Sequence, residues 1–316
     1  VGEYDFNKES MTVTSGLQTI EHGNAYRWAA IGNNGPDVDA ATSRLLTVAY
    51  IAVPSAPTFL SLVRSLSWDA KTSQLVSYPV VEYEKLRSAT LFAGRNLSIE
   101  SGRNETLPVP ASAGGALDLL TSFELTDGLR GFGVSVRSGD VSVRVDAVHK
   151  SSVGFKATVT FLPDAPPPPD ATGHLGSEMP PLTSKTVPVE CGETLDIRVI
   201  VDRPVVEIFV NQGRAAFVAG ALKPFSDDRA DVSLFNAGPP VPATVAAHEM
   251  GCGWAQSRPE PKPPAAKADD ETARPFDFTH FEDVLFPQWR ELFRVGDAAS
   301  GEYSLLPVSD PAHNFT

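Results

Sequence analysis

Apolar residues recur at every second position in this chain far more often than at helical spacing, which predicts strands. The clearest case spans residues 131–145. Phe132, Val134 and Val136 alternate with small or polar residues, Ser138-Gly139-Asp140 predicts a turn, and Val141, Val143 and Val145 resume the alternation. One apolar and one polar face predict a half-buried antiparallel pair. A second hairpin is predicted over 195–218. Leu195, Ile197, Val199 and Val201 alternate with Asp196, Arg198 and Ile200, and Val206, Ile208 and Val210 follow Asp202-Arg203-Pro204. A turn at Asn211-Gln212-Gly213 leads on to Ala215 and Phe217. Pro204 has no N–H to give a ladder and fits an edge or a connection. Residues 231–235 predict one further strand, and strands this short, repeated over 123–236, predict a two-sheet sandwich.

Other stretches break the pattern. Residues 163–181 are Pro-rich, with Pro166 to Pro169 consecutive, and predict an extended, solvated insertion between strands. Residues 255–275 carry Pro, Ala, Lys, Asp and Glu with almost no large apolar side chain, the composition of a disordered linker. Beyond it Phe281, Leu285, Trp289, Leu292 and Phe293 fall at helical spacing. They predict a short amphipathic helix that docks onto the body or opens a further module.

At 316 residues, 42% hydrophobic and 21% charged, the chain has room for about two domains with packed cores. Its 39 acidic and 26 basic residues give a net charge of −13. No basic cluster offsets that charge, so neither nucleic acid nor an anionic membrane surface is an expected partner. No apolar run approaches the ~20 residues of a membrane span, and the start has no signal-like pattern. The chain opens on Val1 rather than Met and reads as a fragment or a processed product. Cys191 and Cys252 leave two readings open, one bridge or two inert thiols. The six histidines, His22, His149, His174, His248, His280 and His313, are scattered. No metal site and no cofactor is expected.

Three segments together resemble glycoside hydrolase family 32, the β-fructofuranosidases. The first runs from Phe59-Leu60-Ser61-Leu62-Val63-Arg64 through Ser65-Leu66-Ser67-Trp68-Asp69 to Tyr78-Pro79-Val80-Val81-Glu82 and Leu86-Arg87. It resembles the passage from the family's propeller into its C-terminal sandwich, with Val63 where Pro is usual. The second, residues 197–213, resembles the sandwich signature, an apolar strand ending in Val-Asp followed by Val-Glu-x-Phe and an Asn/Gly turn. The third joins Gly2-Glu3-Tyr4-Asp5, Glu21-His22-Gly23-Asn24-Ala25-Tyr26 and Arg44-Leu45-Leu46-Thr47-Val48-Ala49-Tyr50, and is similar to the last propeller blade. Pattern and resemblance together predict an all-β chain. Residues 1–90 are expected to form the final blade of a five-bladed β-propeller with its connector, and 91–254 a C-terminal β-sandwich. A disordered linker over 255–275 and a short tail over 276–316 are expected to follow.

Retaining glycosidases work with two carboxyl groups about 5–5.5 Å apart, one attacking the anomeric carbon and one protonating the leaving oxygen. The resemblance implies that the nucleophile lies in a Trp-Met-Asn-Asp-Pro-Asn-Gly-like segment and the acid in a Glu-Cys pair. An Arg-Asp-Pro should lie between them, and all three should fall in earlier blades. Trp28, Trp68, Trp254 and Trp289 have no Asn-Asp-Pro beside them, and Arg-Asp-Pro is absent. The dyad is therefore expected upstream of residue 1, and the chain alone is expected to be inactive. Glu190-Cys191 falls beyond the last blade and reads as a loop before the Leu195 strand. Asp202-Arg203-Pro204 reads as structural.

The resemblance assigns sugar contacts to the blade. Glu21 stands where relatives carry an Asp that binds sugar hydroxyls at the pocket rim. Asn24 replaces the Lys frequent in sucrose-cleaving members, so their charge pair is absent and a sucrose preference is disfavoured. Tyr26 completes the segment. Glu21 as a solvated loop carboxylate and Tyr26 as a core aromatic stay open beside these roles.

Asn96-Leu97-Ser98, Asn104-Glu105-Thr106 and Asn314-Phe315-Thr316 fit the N-glycosylation pattern. The first two fall in polar stretches expected to be exposed, consistent with a secreted, vacuolar or cell-surface protein. The expected partners are a small carbohydrate, sucrose or a fructan, and the chain's own missing propeller blades. Two readings from other classes stay open. One is a non-catalytic sugar-binding or structural sandwich; the other is an interaction module whose tail helix around Trp289 recruits a partner.

Overall fold

The computed structural model describes residues 2–5, 7–13, 22–23, 25–30, 37–39, 44–51, 59–163, 183–219, 226 and 229–251. The rest of the Pro-rich stretch, the linker, the tail, Cys252 and Asn314 lie outside them. In chain order the strands are β1 (Gly2–Asp5), β2 (Ser10–Val13), β3 (His22–Gly23), β4 (Ala25–Ala30), β5 (Asp37–Asp39), β6 (Arg44–Ile51) and β7 (Phe59–Leu60). There follow β8 (Arg64–Asp69), β9 (Gln74–Pro79), β10 (Arg87–Ile99), β11 (Arg103–Thr106), β12 (Ala116–Phe123), β13 (Phe132–Val136) and β14 (Val141–Ser151). The last are β15 (Gly154–Pro163), β16 (Ser184–Glu190), β17 (Leu195–Asp202), β18 (Val205–Val210), β19 (Ala215–Ala219), β20 (Ser233–Asn236) and β21 (Val241–Met250).

Two sheets form the sandwich. One runs β10-β21-β12-β17-β18-β19-β3 and the other β11-β20-β13-β14-β15-β16. Alternate Val, Ile, Leu and Phe residues suit a pleated surface because their branched or flat side chains pack against cross-strand neighbours. Leu119, Val199, Ile208 and Phe217 are successive register partners across the first sheet. They face Phe132, Val134, Val143, Val159 and Phe161 of the second in one buried cluster. Aromatic contacts tighten the core: Phe123 meets Phe132 edge-on at 5.0 Å, and Phe161 stacks on Phe217 at 5.8 Å. Each such side chain contributes roughly 1.5–3 kcal/mol by leaving water, so this layer dominates the stability of the sandwich.

A third, N-terminal sheet has the antiparallel order β4-β6-β8-β9, with the short β5 and β7 also pairing with β6. A single 3₁₀ turn, Val81–Leu86, carries the chain from this sheet into β10. The N-terminal sheet covers the outer face of the seven-stranded sheet. Leu62 and Tyr78 pack on Ile200, Phe209 and Ala216, and Phe59 packs beside Ile51, Val205 and Val218.

That cover changes what the alternation predicted. β18 and β19 are buried at every position, and β17 is exposed only at Asp202. The alternating strands of the 195–218 hairpin therefore have no solvent face. β13 is likewise buried throughout, because it lies between β20 and β14 and the Phe235 ring reaches over Gly133. Its turn also starts one residue earlier than predicted. Arg137 and Ser138 take φ of 55° and 53°, and the buried Arg137 guanidinium donates to the carbonyl of Arg203 and to Asp140. Pro204 lies in the connection between β17 and β18, the place its missing N–H predicted.

Gly213 shows how closely the two modules approach. Its φ is +91°, and a Cβ there would strike the backbone of Ser77 on β9. Gly192 has a similar φ of +85° with open space around it. Gly192→Ala should cost about 1–2 kcal/mol for the left-handed backbone alone. Gly213→Ala should cost clearly more, by the added collision. Denaturant midpoints of the two variants check the difference, and equal losses would mean that the close approach carries no strain.

Candidate functional site

Charged side chains converge where the N-terminal sheet meets the sandwich, and all the residues involved belong to one compact unit, Val1–Gly253. Arg64 opens β8 and is fully buried, and Glu207 on β18 is 3% exposed. The Arg64 guanidinium donates through Nη2 and, at 3.2 Å, through Nε to Glu207 Oε2. The backbone N–H of Leu62 fills Glu207 Oε1 at 2.6 Å. Both carboxylate oxygens are thus satisfied by the N-terminal sheet. The Arg64 Cζ also lies 4.7 Å from the Phe209 ring centroid, where the negative face of the ring attracts the cation.

A second group lies beside it. Asp118 on β12 is fully buried and receives a two-pronged bond from Arg198, 2.8 Å on each arm. It also accepts from Arg87 of β10 at 2.8 Å. Burial alone would discharge Arg198, but hydrogen bonding and charge from Asp118 outweigh it and hold the guanidinium above its usual range. Tyr78 of β9 covers this arginine at 5.5 Å and meets Phe209 edge-on at 5.6 Å. At the surface Arg44 of β6 grips Glu82 of the connecting turn through two bonds of 2.9 and 2.8 Å. Those bonds pull the Glu82 carboxyl down to about 2.

The seam ends in a polar cleft of about 490 Å³ lined by Asp69, Lys71, Glu193, Asp196, Gln212 and Arg214 among others. Arg214 spans it, donating to Asp69 at 2.8 Å and to both Glu193 oxygens at 2.5 and 3.1 Å. Hydrogen bonds from Arg214 lower the Glu193 carboxyl. Burial would raise Asp69, but bonds from Thr72 and Arg214 prevail and lower it. Among the described residues this lining holds no aromatic ring on which a sugar could stack.

The sequence-predicted residues fall elsewhere. His22 and Gly23 form β3, parallel to Phe217 and Val218 at the sandwich edge. Tyr26 follows on β4, at the point where its register with β6 shifts between Ala25 and Arg27. The backbone of this segment therefore crosses from the sandwich to the N-terminal sheet; Glu21 and Asn24 lie outside the described residues. Glu190 closes β16, with a carboxylate oxygen 3.6 Å from the Lys71 ammonium, and Cys191 is exposed in the turn that follows. Asn96 and Asn104 are exposed. The described residues contain no group of three His, Cys, Asp or Glu able to hold a metal, and no helix among them is long and apolar enough to cross a membrane.

Sequence reasoning missed Asp118, Arg198 and Arg214 as partners. The available signal was a charge set between apolar neighbours inside a strand, as in Leu117-Asp118-Leu119 and Ile197-Arg198-Val199. Among the described residues the three buried carboxylates, Asp118, Asp140 and Glu207, are each bound by arginine. The arrangement joins two modules and contains no free acid–nucleophile pair.

Glu207→Gln should cost about 3–5 kcal/mol, since it strands the buried Arg64 charge, while replacing both residues by apolar ones of similar volume should recover most of that loss. Urea unfolding of the single and double variants measures this. The Asp69 and Glu193 carboxyls are lowered in the folded protein, so the unfolded chain binds more protons in acid. Their stabilisation is present above the ordinary carboxyl range of about 3.9–4.3 and is lost as pH falls through the lower folded values. Arg214→Met should flatten that acid-side fall, and Tm measured from pH 6 to pH 2 tests it.

The family model "Glycosyl hydrolases family 32 C terminal" matches residues 82–247. A comparison with curated protein sequences finds no match. Among solved structures, the chain resembles fructan 1-exohydrolase IIa from Cichorium intybus at 17% identity and a TM-score of 0.62, over 79% of this chain and 54% of that one. β-Fructofuranosidase from Schwanniomyces occidentalis matches at 14% identity and 0.54, over 78% and 52%. Sucrose-6-phosphate hydrolase from Lactobacillus gasseri matches at 17% and 0.52, over 79% and 46%. The chain spans about half the length of these proteins, and the likeness shows a shared fold. With its family model covering the sandwich from the connecting turn to β21, the chain belongs to glycosyl hydrolase family 32.

Proposed function

We propose that this chain is the C-terminal part of a β-fructosidase that hydrolyses the O-glycosyl bond of sucrose or a fructan by the retaining two-carboxylate route. Residues 1–90 act as the last propeller blade and its connector, 91–254 as the sandwich, 255–275 as a linker and 276–316 as a tail. The catalytic dyad belongs to upstream blades, and the sandwich buttresses them. Family membership supports this reading, as does a matched fructan 1-exohydrolase structure that holds 1-kestose.

The observation that carries it is the fate of the motif charges. Arg44, Arg64, Glu82 and Glu207 are the residues on which the sequence motifs turn, and each one ties the N-terminal sheet to the sandwich or to its connector. Such ties hold a blade in place and engage the motif carboxylates Glu82 and Glu207 themselves. Sugar contact then falls to Glu21, Asn24 and Tyr26, whose segment includes β3, paired to β19 at the sandwich edge. Exposed sequons at Asn96 and Asn104 support a secreted, vacuolar or cell-surface location.

Release of fructose from sucrose, 1-kestose and inulin tests the proposal. The purified chain should release none, whereas the chain joined to its upstream blades should hydrolyse at least one of them. In that longer protein Glu21→Gln should raise KM about 10-fold or more, the cost of one charge-assisted bond to a hydroxyl. Turnover by the chain alone that is lost in Glu190→Gln would overturn the reading, and sugar binding without turnover by the longer protein would make it a binding module.

A further inference from the structure

The outer face of the six-stranded sheet differs from the seam. Cross-strand register places Asn104, Phe235, Gly133, Arg144, Thr160 and Ser184 in one row across six strands. Directly opposed residues of an antiparallel pair project from the same face with Cβ atoms about 4.5–5.5 Å apart. Asn104 on the edge strand β11 is therefore the immediate neighbour of Phe235 on β20. Asn104 is exposed, and Phe235 is half-buried.

The floor beyond the ring is bare. At Gly133 a Cβ would meet Phe235 Cζ at 3.0 Å and the carbonyl of Val143, so only glycine lets the ring settle there. A shallow concavity of about 480 Å³ lies beside the ring, with Phe235, Arg144, Asp146 and Arg130 in its lining. A polar network runs from that lining across β14, β15 and β16. Arg144 Nε lies 2.5 Å from Asp146 Oδ1, Thr160 donates to Asp146, and Thr160 and Ser184 hydroxyls meet at 3.1 Å. An aromatic ring beside fixed hydroxyl, carboxylate and guanidinium groups suits a pyranose, which has an apolar C–H face and a polar rim.

Asn104 heads the sequon Asn104-Glu105-Thr106. We infer that Asn104 carries an N-linked glycan whose first N-acetylglucosamine stacks on Phe235 and directs its hydroxyls toward the Arg144–Asp146 wall. In the attachment, Asn104 Nδ2 attacks C1 of the sugar on a lipid-diphosphate-linked oligosaccharide. The N–C1 bond forms, the C1–O bond to the diphosphate breaks, the lipid diphosphate leaves, and the amide nitrogen gives up one proton. The occupant is thus a segment of the protein's own glycan. By contrast, Asn96 lies where the β10–β21 register shifts between Gly94 and Leu97, with no residue opposite it.

The inference rests on the secretory reading above, so the test supplies its own secretion signal and does not depend on fructosidase activity. The full chain is secreted from yeast as wild type, Asn104→Gln, Phe235→Leu and the double variant. Peptide mass spectrometry should find Asn104 occupied. Loss of its glycan should lower Tm by about 2–4 °C, the shift expected for one modest contact in a domain of this size. The same loss should be much smaller in the Phe235→Leu background, and trimming to a single N-acetylglucosamine should leave Tm unchanged. In labelled protein the first sugar's methine protons should shift upfield beside Phe235 and return to ordinary values in Phe235→Leu. An unoccupied Asn104, additive Tm losses or unshifted sugar protons would each overturn the inference.

Discussion

A sheet that carries charge on one face must either keep that face in water or find every charge a partner. The seven-stranded sheet takes the second course. Asp118, Arg198 and Glu207 project from its outer face, and the N-terminal sheet closes over them. Removing such groups from water costs several kcal/mol per ion. The cost is offset because the partners arrive in full: Arg64 and the Leu62 N–H for Glu207, a two-pronged Arg198 and Arg87 for Asp118, and Phe209 and Tyr78 over the cations. Apolar contacts around Ile200 and Val218 add area, but they tolerate sliding. The ion pairs admit one register.

This constraint links the fold to the proposed work of the protein. The N-terminal sheet is held at the seam by Arg64–Glu207, by Arg214 across the cleft and, through the connecting turn, by Arg44–Glu82. Gly213 lets the β18–β19 turn press against Ser77. Together they hold in place the sheet that carries Tyr26, whose lead-in strand β3 is paired to β19. The six-stranded sheet keeps an aromatic ring, Phe235, beside a sequon.

Much of this was legible in the residues. Alternation in 132–136, 141–145, 195–201 and 206–217 located β13, β14, β17, β18 and β19, because period-two hydrophobicity has one common structural meaning. Pro204 was assigned correctly because a missing N–H excludes a central ladder. The motif around Val206-Glu207-Ile208-Phe209 placed the chain in its family. The alternation also misled at β13, where it predicted one polar face and every position is buried. Alternation within one strand reports the difference between its two sides, and says nothing of what a segment more than a hundred residues away lays over the polar one.

Contiguous residues were enough to establish an all-β chain, a two-sheet sandwich and family membership, because local pattern and short motifs are read within single stretches. Folding was needed to bring Arg64 to Glu207 across 143 positions, Arg214 to Asp69 across 145, and Asn104 beside Phe235. Charge pairing and register depend on which strands become neighbours. That choice is made by the packing of whole sheets, where the energy of burial is summed over many residues and no single stretch of sequence records it.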